Sequence, residues 1–402
     1  MDTTIASTPN ENDLAVTRRK TAGTPTRVLI LWPHVPAYLA ACVKSLLRDQ
    51  GAEVCLIVDG VDAWPNHSEL LSFPAFRFLA PPTVSSESEP AMKAVIDEFH
   101  PDIVLAGCGK WGLRSRLAKQ AMRHGALAIW AADNYWRGSW RDYANLLLSR
   151  LGLIYSSFDA VWVPGSLGWE YARKMGFRER EIFEGVYCCN TELLLAIGES
   201  RFRSDQTGKW PARFLFIGQY IERKNLAALV KAYQEYRVRV ADPWELWCAG
   251  HGPLKSLLQN KPGIVDHGYR DAKGCARLMS EAGVFVIPSW VDHWPLVVHE
   301  ATSAGLPVLA SYGSGSAVEL VRDGYNGYKF PAGDAGALSR LMQHISQNIN
   351  LVQFGQNSMK MSCQFSPSLW CSTLTRDIPT RIGRRPGKAG GTERRIRSEA
   401  LQ

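Results

Sequence analysis

Residues 284–311 read VFVIPSWVDHWPLVVHEATSAGLPVLAS, and the rest of the architecture can be worked out from them. Val284–Ile287 is an apolar run of strand size that stops at Pro288. A loop from Trp290 to Trp294 follows. Pro295 suits the first position of a helix, where its missing N–H costs nothing. Helical spacing then runs to Gly305, a C-terminal cap signal, and Pro307 opens the exit into a second apolar run, PVLAS. A helix that starts at the carboxyl edge of a parallel sheet offers free N–H groups and a positive dipole end, which is an anion site by geometry. Asp292 lies just before that helix start, and Glu300 lies a turn or more inside. Eight residues apart, these carboxylates cannot share one metal or form a tight dyad. They can bracket an elongated ligand whose charged middle lies at the helix end and whose hydroxyl-bearing ends donate to carboxylate. A nucleotide sugar has that form.

The same alternation extends in both directions. From residue 27, the runs RVLILW, EVCLIVD, DIVLAG, ALAIWAAD, AVWVPG and IFEGVY alternate with helical patterns. After residue 212 it restarts with RFLFIGQ, ELWCAG, IVDHG, VFVIPS and PVLAS. Apolar strands alternating with helices predict parallel sheets covered on both faces. The expected fold class is therefore α/β, with two Rossmann-like doubly wound domains facing a central cleft. The predicted divisions are a disordered leader over 1–25, an N-terminal domain over 26–190 and a polar linker over 191–212. A C-terminal domain over 213–365, a helix over 366–380 able to cross back to the first domain, and a basic disordered tail over 381–402 complete the chain.

Composition excludes several classes. The 402 residues are 46% hydrophobic and 21% charged, the balance of a soluble globular protein too long for one core. No apolar run approaches the roughly 18 residues of a membrane span. Nine cysteines without a CxxC lack both a disulfide framework and a metal clasp, which favours a reducing compartment. Cys42, Cys55, Cys108 and Cys248 sit in apolar surroundings, as small buried thiols do. The formal charge of +8 is concentrated. The tail 381–402 carries 7 basic residues against 2 acidic, and residues 101–150 carry 8 against 3. In the latter, Arg114, Arg116, Lys119 and Arg123 share one helical segment. Arg137, Arg141 and Arg150 flank a second, beside Trp136, Trp140 and Leu146–Leu148. This basic concentration reads either as an ordinary solvated surface or as a face for a membrane or an acidic acceptor.

Over residues 211–340 the ordered landmarks FIGQYIERKNLAALVKAY, AGHGPLKSLL, HGYRDAKGCARLMSEAGVFVIPS and VELVRDGYNGYKFPAGD resemble the C-terminal domain of retaining glycosyltransferases of family 4, which have the GT-B fold. The E-x7-E element of that family appears as Asp292 and Glu300, within Pro288-Ser289, Trp294, Leu296-Val297, Gly305 and Pro307-Val308. The resemblance implies that Glu300 accepts from the nucleotide ribose, that Asp292 contacts the transferred sugar and that Lys224 binds the diphosphate. Gly218, Gln219, His251, His293, Trp294, Leu296 and Val297 complete the donor side it implies. Catalysis would rest on Asp292, Lys224 and Asp133, with no metal and no cofactor beyond the nucleotide-sugar donor. Three positions depart from the family pattern. Gln219 stands where a second phosphate-binding Arg is usual, Asp292 replaces Glu, and Pro295 replaces Gly after the aromatic.

Over residues 27–190 the resemblance is looser. His34, in WPHVPAY at the carboxyl end of the first strand, reads either as a cleft residue or as an ordinary loop histidine. Asp133, with Asn134, ends the strand ALAIWAAD and reads as an orienter of an acceptor hydroxyl or as a helix cap. Gly313 and Gly315, just after a strand, can hug a nucleotide. The expected partners are a nucleotide sugar, a glycan or lipid-linked acceptor and an anionic membrane surface, with no nucleic acid. The expected setting is polysaccharide or glycoconjugate synthesis in the cytoplasm, at the inner face of the cell membrane. A GT-B protein that binds donor without turnover, or a nucleotide-sugar epimerase, fits the same residues.

Overall fold

The structure, a computed structural model, describes residues 24–59, 68–80, 88–107, 112–155, 157–203 and 210–383. The leader up to residue 23, Cys108, segment 204–209 and the tail from 384 lie outside the described residues. The first sheet contains β1 (Arg27–Trp32), β2 (Glu53–Val58), β3 (Phe76–Leu79), β4 (Ile103–Ala106), β5 (Leu127–Ala131), β6 (Ala160–Val163) and β7 (Ile182–Glu184). Its helices are α1 (Ala37–Asp49), α2 (Glu89–Phe99), α3 (Leu113–Arg123), α4 (Trp140–Arg150), α5 (Ser166–Lys174) and α6 (Thr191–Arg201). The second sheet contains β8 (Arg213–Ile217), β9 (Glu245–Ala249), β10 (Ile264–Asp266), β11 (Val284–Ile287), β12 (Val308–Ser311) and β13 (Gly327–Phe330). Around it lie α7 (Leu226–Arg239), α8 (Ala272–Glu281), α9 (Leu296–Ser303), α10 (Ala317–Leu320) and α11 (Ala335–Asn348). The chain closes with α12 (Leu351–Ser362), α13 (Pro367–Ser372) and α14 (Ile378–Ile382).

Both sheets are parallel throughout, in the orders β3-β2-β1-β4-β5-β6-β7 and β10-β9-β8-β11-β12-β13. Each is covered on two faces, so its central strands are apolar runs without alternation: β4, β6 and β11 are buried at every position. Chain direction across each sheet reverses between β1 and β4, and again between β8 and β11. Such switch points open a crevice at the carboxyl ends of the strands.

One buried cluster joins the halves, combining Ile30 and Trp162 of the first sheet, Leu215 and Phe285 of the second, and Phe365 and Trp370 of the C-terminal segment. Trp370 packs on Trp162 with ring centroids 4.9 Å apart and donates Nε1–H to the Val186 carbonyl at 2.9 Å. Arg381 lies 3.7 Å over the Phe183 ring. The chain thus crosses from the second domain back onto the first.

Residues 191–201, read from sequence as part of a polar linker, instead form α6. Leu194 is buried on one face of that helix, and Arg201 donates to the carbonyls of Met279 at 2.6 Å, Ala282 at 2.9 Å and Ala304 at 3.3 Å. Leu194 and Ile197 supply the apolar face, and the arginine satisfies carbonyls that end α8 and α9. The short edge strands β3 and β13 carry too few consecutive apolar residues to be read as strands from sequence.

Candidate active site

Asp292 sits at the switch point of the second sheet, just beyond β11. It is buried, and two cations hold its carboxylate. Arg223 donates Nη1–H to Oδ1 at 2.8 Å, and the Lys224 ammonium donates to Oδ2. A short turn, Glu222–Lys224, carries both cations and ends at Asn225 in the left-handed region (φ 55°), the N-cap of α7. Asn225 tolerates that conformation and donates from Nδ2 to the Pro288 carbonyl at 3.2 Å, while the Trp290 N–H bonds to the Arg223 carbonyl at 2.9 Å. The cation turn is therefore fastened to the loop that carries Asp292. Arg223 was missed in the sequence reading, because the family resemblance directs attention to Gln219. Gln219 is exposed and uncharged, and the arginine four residues later supplies the second positive charge.

A second strap fixes the same loop from the other side. The Asp292 N–H donates to the Gly313 carbonyl at 2.8 Å, and the Gly315 N–H donates to the Asp292 carbonyl at 2.8 Å. A Cβ on Gly313 would lie 2.2 Å from the Trp290 carbonyl oxygen, and one on Gly315 would lie 2.1 Å from that of His293. These glycines make room for the Asp292 loop backbone. Ser311 and Ser316 complete the strap by donating to the carbonyls of Ser289 at 2.6 Å and Pro295 at 2.9 Å. His251 belongs to a similar close fit. The Tyr220 N–H bonds to its carbonyl at 2.8 Å, its side chain is exposed and its ring lies edge-on to Tyr269 at 5.6 Å. Gly218, at the end of β8, lies under the Lys224 stem, which a Cβ there would meet at 3.8 Å.

Pro295 is the N-cap of α9, one position earlier than expected; Leu296 and Val297, both half-buried, open the helix. Glu300 follows one turn later. No side-chain hydrogen bond or ion pair to its carboxyl occurs among the described residues, and burial pushes its pKa up to about 7. Its neighbour His299 faces the opposite way. Its Nδ1 accepts from the Cys189 N–H at 3.0 Å, so Nε2 carries the proton and donates to the Ser362 carbonyl at 3.1 Å. Burial holds this ring neutral, with a pKa pushed down to about 4.

Between the domains lies a narrow, partly open cavity. Asp133, Asn134 and Tyr135 line it from the end of β5, with Gly165 from the start of α5. His293, Trp294, Gly315 and Glu319 line it from the second domain. The His293 ring meets Tyr135 edge-on at 5.0 Å, and burial lowers its pKa. Trp294 packs edge-on against Phe365 at 5.5 Å. Glu319 bridges the domains, its Oε1 accepting from the Ser166 N–H at 2.9 Å and from the Ser166 hydroxyl. The fold thus gathers Asp133, Asn134, His293 and Trp294 at one cavity, next to the Asp292 cation pair. His34 is exposed at the end of β1 and is not among the residues lining this cavity.

Residues 211–348 match the family described as Glycosyl transferases group 1. The chain is 28% identical over 152 residues to the amylovoran biosynthesis glycosyltransferase AmsK of Erwinia amylovora, covering 34% of this chain and 36% of that protein. It is 32% identical over 140 residues to the phosphatidyl-myo-inositol mannosyltransferase of Mycobacterium leprae, covering 33% and 37%. These matches span little more than a third of either relative. A longer match, 24% identical over 334 residues, covers 79% of this chain and 87% of the putative glycosyltransferase EpsD of Bacillus subtilis. Among solved structures, Anabaena HepE in complex with UDP and glucose superposes with a TM-score of 0.66 at 15% identity, over 88% of this chain and all of that one. A glycosyltransferase from Rickettsia africae gives 0.68 at 14% identity, over 89% and 99%. The two facing parallel-sheet domains are the GT-B fold.

Proposed function

We propose that the protein is a glycosyltransferase. It moves a sugar from a nucleotide-sugar donor to a glycan or lipid-linked acceptor with retention of anomeric configuration, at the inner face of the cell membrane. The observation that carries this reading is the pairing of Asp292 with both Arg223 and Lys224 beside the start of α9. Two cations neutralised by one carboxylate leave a net positive charge where a diphosphate would lie. A bound diphosphate competes for both, and Asp292 is then released towards the sugar. As the glycosidic bond breaks, the leaving diphosphate gains charge. Fixed cations and the first N–H groups of α9 then stabilise it without reorganisation. Arg223 supplies in this chain the charge that Gln219 lacks. Glu300 accepts from ribose hydroxyls, whose two donors compensate its burial. The cavity lined by Asp133, Asn134 and His293 receives the acceptor. The reading invokes no bound metal. The matched segment 211–348 and the UDP bound to the structural neighbour HepE support a nucleotide donor.

The test is thermal stabilisation by UDP, GDP, ADP, TDP and their sugar conjugates, followed by turnover with the stabilising donor. A ligand at a hundred times its dissociation constant adds about 2.7 kcal/mol to stability. Stabilisation by one base family, lost in Lys224→Ala and Glu300→Ala, is the expected result. A well-folded protein stabilised by no nucleotide would overturn the reading.

A further inference from the structure

Helix α4 is amphipathic in the wrong sense for a helix of a water-soluble domain. Its buried side chains are polar: Asp142 and Ser149. Its exposed side chains include Trp140 (74% exposed), Tyr143 (58%) and Leu147 (60%), and Leu151 (62%) and Leu153 (68%) continue just past its end. Trp140, Tyr143, Leu147 and Leu151 follow one another at helical spacing and form a single stripe. The inversion is built in. Ser139 and Asp142 make a reciprocal capping box, and the Asp142 carboxylate also accepts from the Arg137 N–H at 3.2 Å. The Ser149 hydroxyl donates to the Met175 carbonyl at 2.5 Å. The helix is thus anchored by Asp142, Ser149 and the half-buried Leu146, and turns a second apolar stripe outward.

The charges around the stripe select its occupant. Arg141 and Arg150 are exposed and pair with no carboxylate among the described residues, and Arg141 lies 5.5 Å over the Trp140 ring. Lys174 lies 5.4 Å over Trp136, which in turn meets Tyr143 edge-on at 5.1 Å. The one carboxylate of α4, Asp142, is turned inward. The neighbouring basic helix α3 differs: Arg116 is bonded to Glu89 at 2.7 Å and Arg114 to Asp59. A second copy of the chain docked two-fold on this stripe would set Arg141 and Arg150 near their own images, with no exposed α4 carboxylate to offset them. Lys174 is paired with Glu170 at 3.5 Å, but aromatic and Leu side chains rimmed by the unpaired Arg141 and Arg150 match a surface that is apolar inside and anionic at its headgroups.

We infer that α4, with Leu151 and Leu153, is the element by which this protein lies on an anionic lipid bilayer. Residues Asp133–Tyr135, which line the interdomain cavity, are the chain that leads into α4. Docking therefore holds the acceptor wall of the cleft against the lipid headgroups. The inference deepens the proposed function by naming the surface that presents the lipid-linked acceptor.

The test is flotation of the full chain with vesicles of pure phosphatidylcholine, and with vesicles in which about a third of the lipid is phosphatidylglycerol. The wild type should float with the anionic vesicles and be released as salt rises. Leu147→Glu/Leu151→Glu changes only exposed positions and should lower partition by roughly tenfold or more. Arg141→Glu/Arg150→Glu should lose the preference for anionic vesicles. Full flotation of both variants would make the basic tail the anchor and overturn the inference. So would a wild type that stays in solution, or one whose stripe mediates a concentration-dependent dimer by light scattering. UDP-dependent melting of the same samples reports the cleft independently, so loss of nucleotide binding with flotation intact would count against the glycosyltransferase reading alone.

Discussion

The two domains share one plan, yet their switch points are built differently. Beyond β8 and β11, three short segments of the second domain are laced together by main-chain bonds. Two glycines lie within van der Waals contact of facing carbonyls, and two cations converge on one buried carboxylate. Beyond β1, the first domain offers an exposed loop with His34 at its tip. Its contribution to the cleft comes instead from β5 and α5, two and three strands away. A donor of fixed shape rewards a rigid, pre-set site, whereas a wall that meets a variable acceptor can be assembled from scattered positions.

If the laced site holds the leaving group, its cations dominate the kinetics. Lys224→Ala should lower kcat/KM by about 10²- to 10³-fold, the scale for removing one donor aimed at developing charge. Arg223 is more exposed than Lys224, with side-chain exposures of 46% and 12%. Arg223→Ala should therefore cost less, about tenfold, and Gln219→Arg in that background should restore part of the loss. Steady-state kinetics with the donor found by thermal shift measure all three. Equal losses for an Asp133→Ala control would erase the contrast between the two sides of the cleft.

The lacing itself can be broken without touching a charged group. Gly315→Ala places a Cβ at 2.1 Å from a main-chain oxygen that the facing loop holds in place. It should lower unfolding stability by about 2–3 kcal/mol, read as a shift of the urea midpoint. A shift no larger than that of an exposed-surface substitution would mean that the strap is loose.

Glu300 sharpens the comparison through pH. Its folded pKa, about 7, lies above the ordinary 4.5, so the folded state holds the extra proton between those values. Stability should therefore fall as pH rises from about 4.5 to 7 and level off above. Glu300→Gln should come close to wild type near pH 4.5 and exceed it by about 2–3 kcal/mol near pH 8. The same substitution should weaken nucleotide binding, since an amide offers one acceptor where the carboxylate offers two. Denaturation curves at the two pH values, with and without nucleotide, separate these effects.

Much of this was legible because its causes are local. Continuous apolar runs such as VFVIPS report a strand covered on both faces, and the proline and glycine around α9 mark its ends. The Asp292 loop was recognisable because backbone segments at such close range admit only glycine, proline and small hydroxylated residues at particular places. What sequence reading misassigned depends on tertiary partners. Gly313 and Gly315 give no sign in the sequence of the facing carbonyls they make room for. The helix at 191–201 looks like a linker because its stability comes from α8 and α9. Arg223 looks like an ordinary exposed charge until the turn at Asn225 aims it at Asp292. Glu319, inside a four-residue helix, carries no signal of its reach across the cleft.

That reach yields the smallest expected effect and the most direct probe of how the domains meet. A Cβ on Gly165 would lie 2.8 Å from Glu319 Cγ, so the glycine is what lets the carboxylate approach the start of α5. There it caps a helix of the other domain by accepting from the Ser166 N–H and hydroxyl, as an N-cap side chain does within one chain segment. Ser166 is exposed and Glu319 is half-buried, so solvent screens the contact. Glu319→Ala should cost about 1 kcal/mol or less. Ser166→Ala keeps the main-chain donor and should cost about half of that. In the double variant the serine change should add almost nothing, because its partner is already gone. A fully additive double variant would mean that the two groups do not couple in solution and that the cleft rests more open than this contact implies.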